Sequence, residues 1–284
     1  MSVLVKAGVG VGILTLVTGG GFYIKTLLGE EISFVTLTVE KDYGTVYTNE
    51  KIGKLYGDYL VAPFGLSKND GNVDKSKDNE SWWALSYRNF EIDGASSDDF
   101  KKVEKVDKSF VDKDSQDNKS LNKVCETVYK GDYSTIDISS ASTTETPQSQ
   151  LRKDLFKYCS FLGKEPTTIS NKEEGKKKYS DDQSYGAIQA SKLVSVTDNG
   201  NRLFWATQTK LFFEAEGDRS GSKDADANSI FKKLFDENKD KNKSWDLVKN
   251  ACKTAYSKKG EDSAATDKAP KESVFRYCSL KGKE

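Results

Sequence analysis

Ten residues around position 160 return around position 280. Phe156-Lys-Tyr-Cys-Ser-Phe-Leu-Gly-Lys-Glu165 is matched by Phe275-Arg-Tyr-Cys-Ser-Leu-Lys-Gly-Lys-Glu284, with seven identities in ten positions. Upstream, Val124-Cys-Glu-Thr-Val-Tyr129 is matched by Ala251-Cys-Lys-Thr-Ala-Tyr256. Further upstream Trp83-Ala84 is matched by Trp205-Ala206, each followed by Phe-Glu at Phe90-Glu91 and Phe213-Glu214. The three anchors keep their order at offsets of 119, 127 and 122 residues, which marks a tandem duplication. The fold must therefore be one that a small unit can adopt twice.

Each copy reads as helical. Leu121, Val124, Cys125, Val128 and Tyr129 recur at i, i+3, i+4, i+7 and i+8, one face of an α-helix, with Ser120 at the N-cap position. Val248, Ala251, Cys252, Ala255 and Tyr256 repeat that face behind Ser244. The last helix of each copy is expected to open on Pro147 or Pro270 and to close at Gly163 or Gly282. An earlier amphipathic stretch carries Phe100, Val103, Phe110 and Val111 in copy one, and Ile230, Phe231, Leu234 and Phe235 in copy two. The Trp segments also fit helices, while Tyr59–Pro63 fits an extended strand. Polar stretches at 137–146, 218–228 and 257–268 read as solvated loops.

Ahead of the copies, Ala7–Ile24 is an 18-residue run without a charge, between Lys6 and Lys25. As a helix it would be roughly 27 Å long, close to the bilayer core of about 30 Å. Its six glycines disfavour a soluble helix, whereas Gly8 and Gly12 give the GxxxG spacing of membrane helix packing. The expected architecture is mainly α: an N-terminal transmembrane helix, then two tandem copies of a small helical unit with long polar loops. The boundaries are 1–30 for the anchor, 31–50 for a linker, 51–166 for copy one and 175–284 for copy two.

Four cysteines, Cys125, Cys159, Cys252 and Cys278, fall two to a copy. Four cysteines admit three pairings, of which pairing within copies is the simplest. Free buried thiols are the alternative, and a four-cysteine zinc site fits least because no CxxC spacing occurs.

Composition removes function classes. There is no His, which excludes Ser-His and Cys-His nucleophile pairs and every His-bearing metal site. Lys and Arg together match Asp and Glu at 44 each, and only five of the basic residues are Arg, a poor basis for nucleic-acid recognition. The acidic runs at Asp70, Asp112 and Asp236 imitate calcium loops but have no Gly at loop position 6 and no Glu at position 12. No phosphate-binding Gly-rich loop is present, and no cofactor is expected. Asn79, Asn118 and Asn242 stand in N-x-S/T sequons.

The order KAGVGVG…GGGFYI, YGDYLVAPFG, SWWALSYRNF, VCETVYKGD and LFKYCSFLGK resembles the paralogous membrane-anchored protein families of haemotropic mycoplasmas. That resemblance implies a wall-less bacterium and a membrane-anchored chain, with no catalytic residues to carry over. The expectation is a single-pass cell-membrane protein with its bulk outside, non-enzymatic, contacting a host-cell surface or another protein and no nucleic acid. The alternative is a membrane-tethered hydrolase using cysteine or carboxylate chemistry.

Overall fold

The computed structural model describes residues 14–16, 21–25, 31–40, 42–65, 79–137, 145–171, 178–179, 183–259 and 266–284. The chain divides into two units, Met1–Glu165 and Pro166–Glu284, and is mainly helical.

Unit 1 opens with an antiparallel sheet of β1 (Leu14–Leu16), β2 (Gly21–Lys25) and β3 (Glu31–Val35) in that order. Phe22 pairs with Phe34 in the β2–β3 register. Its ring is buried against Phe34 and Phe161, with centroids 5.6 and 4.9 Å away. After the sheet come α1 (Tyr43–Val46), α2 (Ile52–Tyr56), α3 (Glu80–Asp93), α4 (Leu121–Lys130) and α5 (Pro147–Tyr158).

Unit 2 carries α6 (Tyr185–Ile188), α7 (Arg202–Phe213), α8 (Ile230–Asn238), α9 (Leu247–Ala255) and α10 (Lys271–Cys278). The Trp helices are α3 and α7, and the cysteine helices are α4 and α9, as their apolar spacing predicts.

Several expectations are corrected. The described part of the run read as a membrane helix is strand, at Leu14–Leu16 and Gly21–Lys25. Its β-branched and aromatic residues suit a pleated surface, and the burial of Phe22 draws β2 onto the unit. No helix among the described residues is long and apolar enough to cross a membrane. Gly8 and Gly12 lie outside the described residues.

Residues 31–50, read as a linker, supply buried Phe34, Val35, Leu37 and Tyr47 to unit 1. The expected amphipathic helix around Phe100–Val111 is instead a 3-10 turn at Asp98–Phe100 followed by irregular chain. Val103 there sits at φ 69°, outside the helical region. Its counterpart in unit 2 does form a helix, α8.

Pro147 begins α5, but Pro270 is the N-cap of α10 and lies just outside it. Gly163 and Gly282 do take positive φ, 69° and 73°, in the turn beyond each helix and not at its end. Ser120 caps α4 by position, whereas Asp246 replaces Ser244 as the N-cap of α9.

Candidate functional site

Three extended stretches meet in each unit, and one asparagine ties two of them together. In unit 1, the Ala62 N–H donates to Val35 O (3.0 Å) and the Val61 N–H to Cys159 O (3.0 Å). Asn79, fully buried just before α3, accepts from the Val35 N–H (2.9 Å). Its amide donates to Val35 O (3.0 Å) and Ala62 O (2.6 Å). The Trp83 indole N–H, one helical turn on, donates to the same Ala62 O at 3.2 Å. From α4, the Tyr129 hydroxyl donates to Val61 O (3.0 Å) and Cys159 O (2.9 Å).

Unit 2 repeats this set bond for bond. The Ser195 N–H donates to Thr167 O (2.9 Å) and the Val194 N–H to Cys278 O (3.0 Å). Asn201 accepts from the Thr167 N–H (2.9 Å) and donates to Thr167 O (2.9 Å) and Ser195 O (2.9 Å). The Trp205 indole donates to Ser195 O (3.2 Å), and the Tyr256 hydroxyl to Val194 O (2.7 Å) and Cys278 O (3.3 Å). Burial raises the proton affinity of both phenols far above the ordinary tyrosine range, so they act as neutral donors.

The cysteines join the helices that carry these groups. Cys125 of α4 is bonded to Cys159, and Cys252 of α9 to Cys278, with Cα–Cα 5.7 Å in both. All four are fully buried. The within-copy pairing is therefore the one formed, and no described cysteine is free to act as a nucleophile. Next to each bridge an aromatic pair locks the Trp helix to the last helix, Phe90 on Tyr158 (5.3 Å) and Phe212 on Tyr277 (4.9 Å), both edge to face. The structural counterpart of Phe90 is thus Phe212, one residue before the Phe213 suggested by the Phe-Glu match.

Sequence comparison missed part of this frame. Asn79 and Asn201 stand at the same 122-residue offset as the Trp pair, and that shared offset was the signal available. A second missed pair is a glycine under a tyrosine ring. A Cβ on Gly53 would lie 2.4 Å from the Tyr47 ring, and one on Gly186 would lie 2.4 Å from Tyr179.

Outside the frame, the charged groups differ between the units. Arg152 is buried and bonds Glu165 through both Nε (2.8 Å) and Nη2 (2.5 Å), with Nη1 on the Tyr56 hydroxyl (3.1 Å). Burial opposes its charge, and the Glu165 carboxylate more than compensates. Arg219, buried in unit 2, instead caps carbonyls at Arg276, Ser279 and Leu280. Among the described residues Glu40 is the one carboxyl moved toward neutrality, pushed up to about 7 by burial first and by the nearby Glu126 second.

Among the described residues no group of three His, Cys, Asp or Glu could hold a metal ion. Asp70 lies outside them. Asn79 is sealed in the core, so its sequon is closed in the folded unit.

The class these features define is a duplicated, disulfide-stapled helical unit built on an Asn–Trp–Tyr hydrogen-bond frame. No family model, curated protein or solved structure matches the chain.

Proposed function

We propose that the chain is an exported, cell-surface protein that works by contact and not by catalysis, its two units serving as rigid platforms. One buried disulfide in each unit, at matched positions, carries this reading. Paired structural cysteines persist in oxidising surroundings and are rare in reducing cytosol. The thiol branch of the hydrolase alternative has no free cysteine to use. Residues 7–24 are the segment we assign to export, acting before Leu14–Leu16 and Gly21–Lys25 join the sheet. The resemblance to membrane-anchored mycoplasma families is in keeping with this reading.

Quenching intact cells in acid, alkylating free thiols under denaturing conditions and then mapping after reduction tests the compartment. The expected result is four protected cysteines, together with release of fragments by protease applied outside the cell. Four labelled thiols in a protease-protected chain would remove the proposal.

A further inference from the structure

The duplication separates residues the frame requires from residues it does not. Frame residues occur in both units, whereas Trp245 does not: counted back from the matched cysteine helices, Asn118 stands in its place. Trp245 is 37% exposed, although its carbonyl is fixed to α7 by the Thr209 hydroxyl at 2.9 Å. Two cations lie over its ring, the Arg202 guanidinium at 5.1 Å and the Lys249 ammonium at 5.3 Å from the centroid. Neither cation has a counterpart, since Glu80 and Asn122 occupy the matching positions of unit 1.

Asp246, the acid beside this group, accepts from Ser244 (2.5 Å) and Asn250 (3.2 Å) and feels the Lys249 charge without a close ion pair to it. Among the described residues neither Arg202 nor Lys249 is taken up in an ion pair. A large aromatic kept partly in water contributes little to folding, and two cations stacked on it outside any close ion pair contribute less. Trp and Arg held in this way are the residue types that dominate protein-binding hot spots.

We propose that Trp245, Arg202 and Lys249 form a recognition patch of unit 2 for an acidic protein segment bearing an aromatic or aliphatic side chain. The carboxylates of that segment would meet the two cations, and its apolar side chain would cover the exposed edge of the indole. The inference rests on the contact reading above, but purified protein tests it whatever the cellular location proves to be.

The assay titrates the full oxidised chain with a random Glu–Tyr copolymer, with polyglutamate, and with phosphatidylglycerol vesicles at one salt concentration. The expected result is about tenfold tighter binding of the Glu–Tyr copolymer than of polyglutamate. Trp245→Ala and the double variant Arg202→Glu/Lys249→Glu should each abolish that preference, and Trp245→Phe should keep most of it. An unchanged thermal midpoint and unchanged disulfide map establish that each variant is folded. Equal binding of the two polymers, or a preference that survives both variants, overturns the proposal. Tighter binding to the vesicles that is lost with Trp245→Ala also overturns it, in favour of a lipid headgroup.

Discussion

Asn79 and Glu40 show how single side chains set the properties of unit 1. Asn79 both donates to and accepts from the Val35 peptide. Removing it leaves the buried Val35 N–H without this acceptor, at a cost of about 1–3 kcal/mol, while Val35 O keeps the Ala62 N–H and Ala62 O keeps the Trp83 indole. Asn79→Ala should therefore destabilise the chain by about 1–3 kcal/mol, read as a lowered urea midpoint. Asn79→Asp, though similar in shape, should cost at least as much, because a carboxylate would face Val35 O and Ala62 O where an amide now donates.

Glu40 gives a prediction in pH. Its folded proton affinity, about 7, lies above the ordinary value of 4.5, so the folded state holds the proton more tightly than the unfolded chain. Its contribution is fully present below about pH 4.5 and is lost as pH rises through about 7. The groups acting on it besides burial are Glu126 and Asp42, which raise its affinity, and Lys113 and Lys130, which lower it. Discounted for partial exposure, the span is on the order of 2 kcal/mol. Glu40→Gln should stabilise the chain at pH 8 and flatten the stability profile between pH 5 and 8. A profile with the same slope in both proteins would rule this out.

Elements were legible where burial on one face imposed a helical period. On α4, Leu121, Cys125, Val128 and Tyr129 are buried and Val124 is half-buried. On α9, Val248, Cys252, Ala255 and Tyr256 are buried and Ala251 is half-buried. The sheet was not legible, because an uncharged run of Gly, Val, Ile and Thr satisfies a membrane helix by length alone. What decides β2 is a non-local contact, Phe22 on Phe161, that no local pattern carries. The asparagine frame was hidden for a related reason: its partners are backbone atoms, which leave no trace in side-chain identity.

The glycine-under-tyrosine packing makes an element-scale prediction. Gly53 of α2 and Gly186 of α6 each admit a tyrosine ring at a distance no Cβ tolerates. Gly→Ala in an ordinary helix is mildly stabilising. Here Gly53→Ala and Gly186→Ala should each instead destabilise by about 1–3 kcal/mol through overpacking. A rise in thermal midpoint for either variant would contradict the packing.

At the scale of the whole molecule, a low apolar content of 36% and a mean hydropathy of −0.67 leave limited core to each unit, and the disulfides offset that shortage. The bridges close sequence separations of 34 and 26 residues. In the chain-entropy model each removes about 3–4 kcal/mol of freedom from the unfolded chain. Folded domains retain only about 5–15 kcal/mol of net stability, so loss of a bridge removes a large fraction of it. Both disulfides are fully buried, so reductant should reach them only when a unit opens. Two consequences follow together. Native protein should resist reduction at low urea, then be reduced steeply at concentrations where it begins to unfold. Once reduced and alkylated, it should unfold at a lower urea midpoint than the oxidised chain, the fall corresponding to several kcal/mol. Cys125→Ser/Cys159→Ser and Cys252→Ser/Cys278→Ser should divide that loss between them in similar shares, as expected for matched bridges in matched frames. If the reduced chain keeps the oxidised midpoint, the bridges are not what stabilises so polar a protein, and the case for an oxidising compartment weakens with them.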